Sequence, residues 1–513
     1  MFRSKITVLC GCLLLTAAVR LATAASVTTH HNDNSRTGVN PAETILTPSN
    51  VKPGNFGKLF SLPVSGQVQA QPLYLSQINM GRYGLRNVLY VVTQTNDVYA
   101  FDADDGTQFW HDNLGTPVPA VSDIYPVVGI LGTPVIDPTR NTIFLVSDAL
   151  GSSGQQFWLH SLDLVTGLER KNSPAPVIGS VAGTGDGSAG GVLAFDPAQH
   201  YQRPAMLLEN GILYFGFGGH QEAPPYHGWI FAYDATSLRR LVVKCLTPNG
   251  SAGGVWQGGE GLSSDGSGNI YAVTGNGTAD AWLGGADYGM SMIKMSVARN
   301  LQVIDYFSSY LELIYSEGDQ DMGTGGVTIV PGAGLLVTSE KPGRMFVANP
   351  NNLGEFNSVT DQIVQEWQAT NIYFGNPVFF NSALYFWGSG LQLQAWSLQG
   401  NTFVPREQGS VTAPFGYVTT PALSISANGT QTGIVWATYP FSYTSWPAYP
   451  GTLAAFDASN VTVPLWISPA DVTAANYAGS WSKFCPPTVV NGKVYIATFD
   501  GRVNVFGLTG GRK

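Results

Sequence analysis

The sequence predicts an all-β protein, an eight-bladed β-propeller of four-stranded antiparallel blades. Three observations carry that expectation. A strand–turn–strand–turn–strand stretch runs from Val88 to Trp110. A unit of the same kind recurs eight times along the chain. No long stretch has the apolar periodicity of a helix.

In the Val88–Trp110 stretch, Val88 to Thr93 is rich in β-branched and aromatic residues, and Thr95 to Asp97 is polar and able to turn. Val98 to Phe101 is a second apolar run, and an Asp-Gly turn at Asp105-Gly106 leads to Phe109 and Trp110. Such a meander cannot bury both of its faces alone, so it needs neighbours of its own kind. These begin at Gln71-Pro72, Thr133-Pro134, Arg203-Pro204, Gln257-Gly258, near Gly325, and at Asn376-Pro377, Thr420-Pro421 and Pro486-Pro487. The starts are roughly 45–70 residues apart, longer than bare blades, which predicts long loops between strands. Phe56 to Val64 reads as an outer strand, placed to complete the last blade and so remove a sheet edge.

Composition agrees. The 513 residues include 61 Gly and 31 Pro, as many short strands joined by turns require. The expected organisation is a signal segment over residues 1–25, a polar lead-in over 26–55 and a single propeller domain over 56–510. Arg3 and Lys5 precede an apolar run from Ile6 to Val19, and Ala22-Thr23-Ala24 offers small residues for cleavage near Ala24-Ala25, which implies a secreted or periplasmic protein. Its removal takes three basic and no acidic residues, leaving 22 basic against 34 acidic, a balance of −12. That balance argues against nucleic acid or an anionic membrane as partner. No later segment is long and apolar enough to span a bilayer. Of four cysteines, Cys10 and Cys12 leave with the signal; Cys245 and Cys485 remain, either as a disulfide or as buried thiols.

Ala100-x-Asp102-x-x-Asp105-Gly106-x-x-x-Trp110 resembles the tryptophan-docking repeat of quinoprotein dehydrogenase propellers, with Asp105 in place of the usual Thr. Asp163-x-x-Thr166-Gly167, Asp234-x-x-Ser237 and Asp457 with Trp466 are partial echoes. In such a turn the Asp satisfies backbone N–H groups, Gly takes a positive φ, and Trp buries its ring against the next blade. The chain is also similar to a wider group of secreted, bacterial-type proteins with quinoprotein-like propellers, through His31-Asn32-Asp33-Asn34-Ser35-Arg36-Thr37-Gly38, Gly253 to Gly261 and Thr274-Gly275-Asn276-Gly277-Thr278. The resemblance implies a possible pyrroloquinoline quinone in the central funnel, with Ca²⁺ held by Glu and Asn and an Asp as base. The vicinal Cys-Cys on which alcohol-oxidising members stack the quinone does not occur here, nor does a Cys-x-x-Cys-His haem site.

If the units close into a ring, each "x-Pro" signal marks the start of an innermost strand. Gln71, Thr133, Arg203, Gln257, Thr324, Asn376 and Thr420 are then expected at a shared axis. Such a lining of neutral donors and acceptors plus one Arg suits a polar, anionic or sugar-like ligand; a water-filled channel is the alternative. Trp256, Gln257 and Glu260 combine an aromatic plate, an amide and a carboxylate in one stretch. His227, with His220 and Glu222, forms a second polar group, but Pro224-Pro225 rules out a helical ligand face. Asp319-x-Asp321-x-Gly323 could open a Ca²⁺ loop, though its later ligands are missing. Gly183 to Gly191 reads as a flexible loop. The expected function is binding of a polar small molecule, glycan or protein partner at the funnel face. The alternatives are a quinone-dependent oxidoreductase and a polysaccharide-acting enzyme, the latter needing paired carboxylates across the funnel.

Overall fold

The recurring units fold into eight antiparallel sheets arranged as blades around one axis in the computed structural model, which describes residues 25–120, 124–220, 223–416, 420–442 and 447–510. The expected signal segment lies outside the described residues except for Ala25, as does Glu222. Blade 1 runs through Leu73–Asn79, Leu85–Val92, Asp97–Asp102 and Gln108–Asn113, the meander read from the sequence. The first strands of blades 2 to 8 are Val135–Asp137, Leu207–Glu209, Ser263–Ser264, Thr328–Val330, Val378–Phe380, Ala422–Asn428 and Thr488–Val490. First strands touch between blades 2 and 3, and in an unbroken run from blade 4 through blade 8 to blade 1. These strands therefore form the inner wall of a ring.

The ring is fastened by its own beginning. Phe56–Pro63 pairs antiparallel with Arg502–Leu508 and is the outer strand of blade 8, so the last sheet is built from both ends of the chain. This closure removes a free edge, as expected from the sequence. Between blades the core is a series of sheet-on-sheet layers. One cluster joins Tyr495 and Val503 of blade 8, Tyr74 and Leu89 of blade 1, and Ile143 of blade 2. The tryptophan-docking turn has the expected physics. Trp110 Nε1 donates to the Leu164 carbonyl of blade 2 at 3.0 Å, and its ring lies against Gly167, whose φ is +76°. In that turn the Asp163 carboxylate accepts from the backbone N–H groups of Val165 and Thr166, both at 2.9 Å.

Residues 27–40 do more than lead in. They coil around the axis and bond to the inner part of every blade. Val27 exchanges backbone hydrogen bonds with Tyr74 of blade 1, at 2.8 and 2.9 Å. Ile136 N donates to the Thr28 carbonyl, Ser264 N to Asn34, Ile329 N to Ser35, Phe379 N to Thr37 and Ile425 N to Gly38, serving blades 2, 4, 5, 6 and 7. Asn34 Nδ2 donates to Leu208 O of blade 3 and Asn40 Nδ2 to Val489 O of blade 8, both at 2.9 Å. Positive φ angles at His31, Asn32 and Arg36 (53°, 70° and 59°) give the tight coil. The coil is a plug, so the axis is not an open water channel along its length.

The glycine-rich segment 183–191 is not a free loop. It is the tip of a hairpin between Ser180–Ala182 and Val192–Ala194, docked through Gly185 N and Asp186 N onto the carbonyls of Pro248 and Gly250. Its backbone amides find partners across the blade, which composition alone does not reveal. Cys245 and Cys485 are both buried free thiols.

Candidate functional site at the plugged axis

The strand starts do converge above the plug. Gln71 N donates to Thr133 Oγ1 at 2.9 Å and Gln71 Nε2 to Thr488 Oγ1 at 3.2 Å, linking blades 1, 2 and 8. Gln71 Oε1 accepts from His31 N of the plug at 3.0 Å. Thr420 Oγ1 accepts from Phe374 N at 2.8 Å. Asn376 Oδ1 accepts from Gly326 N. Thr324 is buried, and its carbonyl lies 2.5 Å from where a Cβ on Gly258 would sit. Gln257 is fully buried and turned inward on its own segment, donating to the Gly261 carbonyl at 2.9 Å and accepting from Val273 N at 3.3 Å.

The Gln257–Gly259 turn brings Glu260 to the axis. Its three residues all have positive φ (51°, 51° and 83°), and Glu260 N donates back to the Gln257 carbonyl at 2.7 Å. Glu260 there meets two imidazoles of the plug. His31 Nδ1 is 2.9 Å from Glu260 Oε2, and His30 Nδ1 is 3.7 Å from Oε1. His31 Nε2 faces the Leu423 carbonyl of blade 7 at 3.1 Å. Burial pushes His30 down to about 4, so this imidazole is neutral at pH 7. Burial alone would raise Glu260; the adjacent His31 and His30 outweigh it and hold the carboxyl well below its usual range. Beneath them Arg36 is fully buried, donating to Thr29 Oγ1, the His30 carbonyl and the carbonyls of Met206 and Leu262. A cavity of about 20 Å³, room for one water or ion, adjoins His30, His31 and Glu260.

Aromatic residues bound the same space. Phe374 and Phe484 lie 6.3 Å apart and carry cations on their faces. The Arg203 guanidinium is 4.7 Å and Lys483 Nζ 5.7 Å from the Phe484 ring, and Lys341 Nζ is 5.7 Å from that of Phe374. Lys341 also bridges the expected Ca²⁺ loop: its ammonium lies 2.7 Å from Asp319 Oδ2 and 3.7 Å from Asp321 Oδ2. Asn276 completes that group, donating from Nδ2 to Asp319 Oδ1 at 3.0 Å and from its backbone N to Asp321 Oδ1 at 2.8 Å. Burial raises Asp321 to about 6 despite those bonds. A lysine thus supplies the positive charge that Asp319 and Asp321 were expected to draw from Ca²⁺, and the residues present do not fit that ion. Trp256 is half-buried against Gly218, with its ring edge towards Gly275.

His227 has a structural place. Its ring nitrogens face the Thr247 carbonyl at 2.9 Å and the Asp186 carbonyl at 2.8 Å, which ties down the 183–191 hairpin. A further constellation, Ser147 Oγ to His160 Nε2 at 2.8 Å and His160 Nδ1 to Glu169 Oε1 at 2.5 Å, has the order of a hydrolytic triad. Ser147 has no exposed surface, so no substrate reaches its hydroxyl. The sequence reading missed His30, Phe374, Phe484 and Lys341. A signal for two of them was available, since Phe374 and Phe484 each stand two residues before the residue that opens an "x-Pro" start, Asn376 and Pro486.

The fold is an eight-bladed propeller like those of the quinoprotein dehydrogenases. Solved structures of that type are similar over nearly the whole chain. Quinohemoprotein alcohol dehydrogenase ADHIIG from Pseudomonas putida HK5 is 12% identical with a TM-score of 0.63, covering 95% of this chain and 81% of its own. The quinohemoprotein alcohol dehydrogenase of Comamonas testosteroni is 12% identical, with a TM-score of 0.60 and the same coverage. A europium-containing methanol dehydrogenase is 13% identical with a TM-score of 0.57, covering 94% and 98%. At these identities the likeness is one of fold. No protein-family model matches the chain, and no curated protein matches it. Among the described residues no helix is long and apolar enough to cross a membrane.

Proposed function

We propose that this chain is an exported propeller that binds a polar, anionic small molecule or acidic glycan at the open end of its axis. The observation that carries the reading is the gathering of Arg203, Lys341 and Lys483 on the paired rings of Phe374 and Phe484. A flat or cyclic anion at these rings meets apolar surface together with the cations of Arg203 and Lys483, while Lys341 stays paired with Asp319. The plug gives such a pocket a floor, which concentrates binding at one end.

A second reading, a quinone-dependent oxidoreductase, is favoured by one specific observation. Asn276 and Asp321, residue types used by the dehydrogenases, meet near Trp256. Pyrroloquinoline quinone is itself a planar tricarboxylate and belongs to the class of anion this floor suits. The Lys341 bridge separates the readings, because a quinone here would bind without Ca²⁺. Asp319 and Asp321 share Lys341 and Glu260 meets His30 and His31, so none of the three supports the reading of a polysaccharide-acting enzyme with a free opposed pair.

The test is titration of the purified protein with acidic oligosaccharides and with pyrroloquinoline quinone, each with and without Ca²⁺. Saturable anion binding weakened about tenfold or more by Arg203→Ala supports the proposal. Binding of the quinone with dye reduction by an alcohol or sugar selects the oxidoreductase. Failure of every anion to bind, or binding indifferent to Arg203→Ala, refutes the axial anion site.

A further inference from the structure

We propose that His30, His31 and Glu260 form a site for a single first-row transition dication, with Zn²⁺ the ion their chemistry fits, set in the floor of the axial pocket. This goes beyond the anion-binding reading and stands without it.

One ligand atom from each of the three residues lies within 4.8 Å of the others. The residues are 2%, 3% and 2% exposed, so the group is shut away from bulk water. Imidazole nitrogen with carboxylate oxygen is a zinc donor set, and three protein ligands leave a position for water. The left-handed backbone at His31 turns both rings to one side, with centroids 4.6 Å apart. Residues in extended backbone would present them to opposite faces.

The hydrogen bonding leaves room for a cation. The Leu423 carbonyl can only accept, so Nε2 of His31 carries a proton toward it, and Nδ1 is the nitrogen turned to Glu260. A backbone carbonyl holding the far nitrogen is the usual outer partner of a metal-ligating histidine. His31 Nδ1 lies 2.9 Å from Glu260 Oε2 yet has no aligned hydrogen-bond partner. Both nitrogens of His30 and Oε1 of Glu260 are likewise buried with none. Unpaired buried polar atoms are costly, and four of them converge here. Two ligands at about 2.0–2.1 Å from one Zn²⁺ lie roughly 3.0–3.4 Å apart. The two His–Glu separations, 2.9 and 3.7 Å, bracket that range. The cavity of about 20 Å³ beside the three residues is the place of a metal-bound water, and its other walls include Phe374 and Phe484 of the anion pocket.

The test uses the whole exported chain, expressed in zinc-supplemented medium for metal analysis, then stripped with a chelator and titrated with Co²⁺. The expected results are one zinc per chain as purified, one Co²⁺ bound per chain with the visible bands of a low-coordinate nitrogen–oxygen site, and displacement by Zn²⁺. His30→Gln and Glu260→Gln should each weaken Co²⁺ binding by about 100-fold or more, while Asp319→Asn at the lysine-bridged turn leaves it unchanged. Absence of both zinc as purified and cobalt uptake overturns the proposal. So does equal binding by His30→Gln and Glu260→Gln, or loss confined to Asp319→Asn. If neither site variant folds, X-ray absorption of the zinc-loaded parent decides: two imidazoles in the first shell support the site, and a shell without imidazole overturns it.

Discussion

Arg36 braces the plug on itself and ties it to the ring, and replacing it with Met measures both together. The guanidinium makes five hydrogen bonds to four acceptors: Thr29 Oγ1, His30 O, Met206 O and, twice, Leu262 O. Met keeps most of the apolar stem and removes every donor. Each buried acceptor left without a donor costs about 1 kcal/mol or more, and removing one partner of a buried charged cluster costs about 3–5 kcal/mol, so about 4 kcal/mol is expected. Unfolding entropy of about 2.1 cal/mol/K per residue gives roughly 1 kcal/mol/K for a chain of this length. Arg36→Met should therefore lower Tm by about 4 °C in calorimetry of the full chain. Arg36→Lys should recover less than half of the loss, because an ammonium cannot span acceptors on opposite sides as the planar fork does. An unchanged or raised Tm for Arg36→Met would refute the reasoning, since it would mean that desolvating the guanidinium costs as much as its bonds return.

Three further outcomes are expected. Gly167→Ala places a Cβ about 2.7 Å from the Trp110 ring at a φ of +76°, and should cost about 1–3 kcal/mol; in a double-mutant cycle Trp110→Phe should return part of it, and strict additivity would deny the docking contact. Burial pushes Glu312 up to about 7 from an ordinary 4.5, so the native state holds a proton that the unfolded chain releases. The stability this gives is complete below pH 4.5 and lost as pH rises to 7; Glu312→Gln should exceed the parent by about 3 kcal/mol at pH 8 and not at pH 4, checked by melts at both values. Cys245 is pushed up to about 12 by burial and Cys485 is raised by burial as well. In the chain lacking residues 1–25 both should be silent to a thiol reagent until denaturation and then titrate as two; no thiol after denaturation would reveal a disulfide.

The ring was legible because a meander that cannot bury its own faces repeats, and because turn chemistry such as Asp102 to Trp110 depends on local residues. The axial positions were read from repeat phase; Gln71 meets Thr133 and Thr488 of the neighbouring blades, and Thr420 meets Phe374. Glu260 was visible as a carboxylate beside Trp256 and Gln257. Its partners were not, because His30 and His31 lie far back along the chain in a polar segment with no apolar period. That segment takes its shape from carbonyls and amides on eight different sheets, and no local rule encodes such contacts. Asp319 and Asp321 matched a cation-binding pattern by spacing, but the charge that answers them comes from Lys341, in a turn of the following blade.

The plug is made long before its last anchor, since Val489 follows Asn40 by 449 residues. Until Glu260 and Leu423 follow, the two imidazoles lack the partners that hold them. A product cut short before Arg502 would also lack the strand that receives Phe56–Pro63, so the last sheet would stand open. Assembly of the floor thus waits on segments from every blade, and a copy lacking blade 8 keeps an unanchored beginning instead of a half-working pocket.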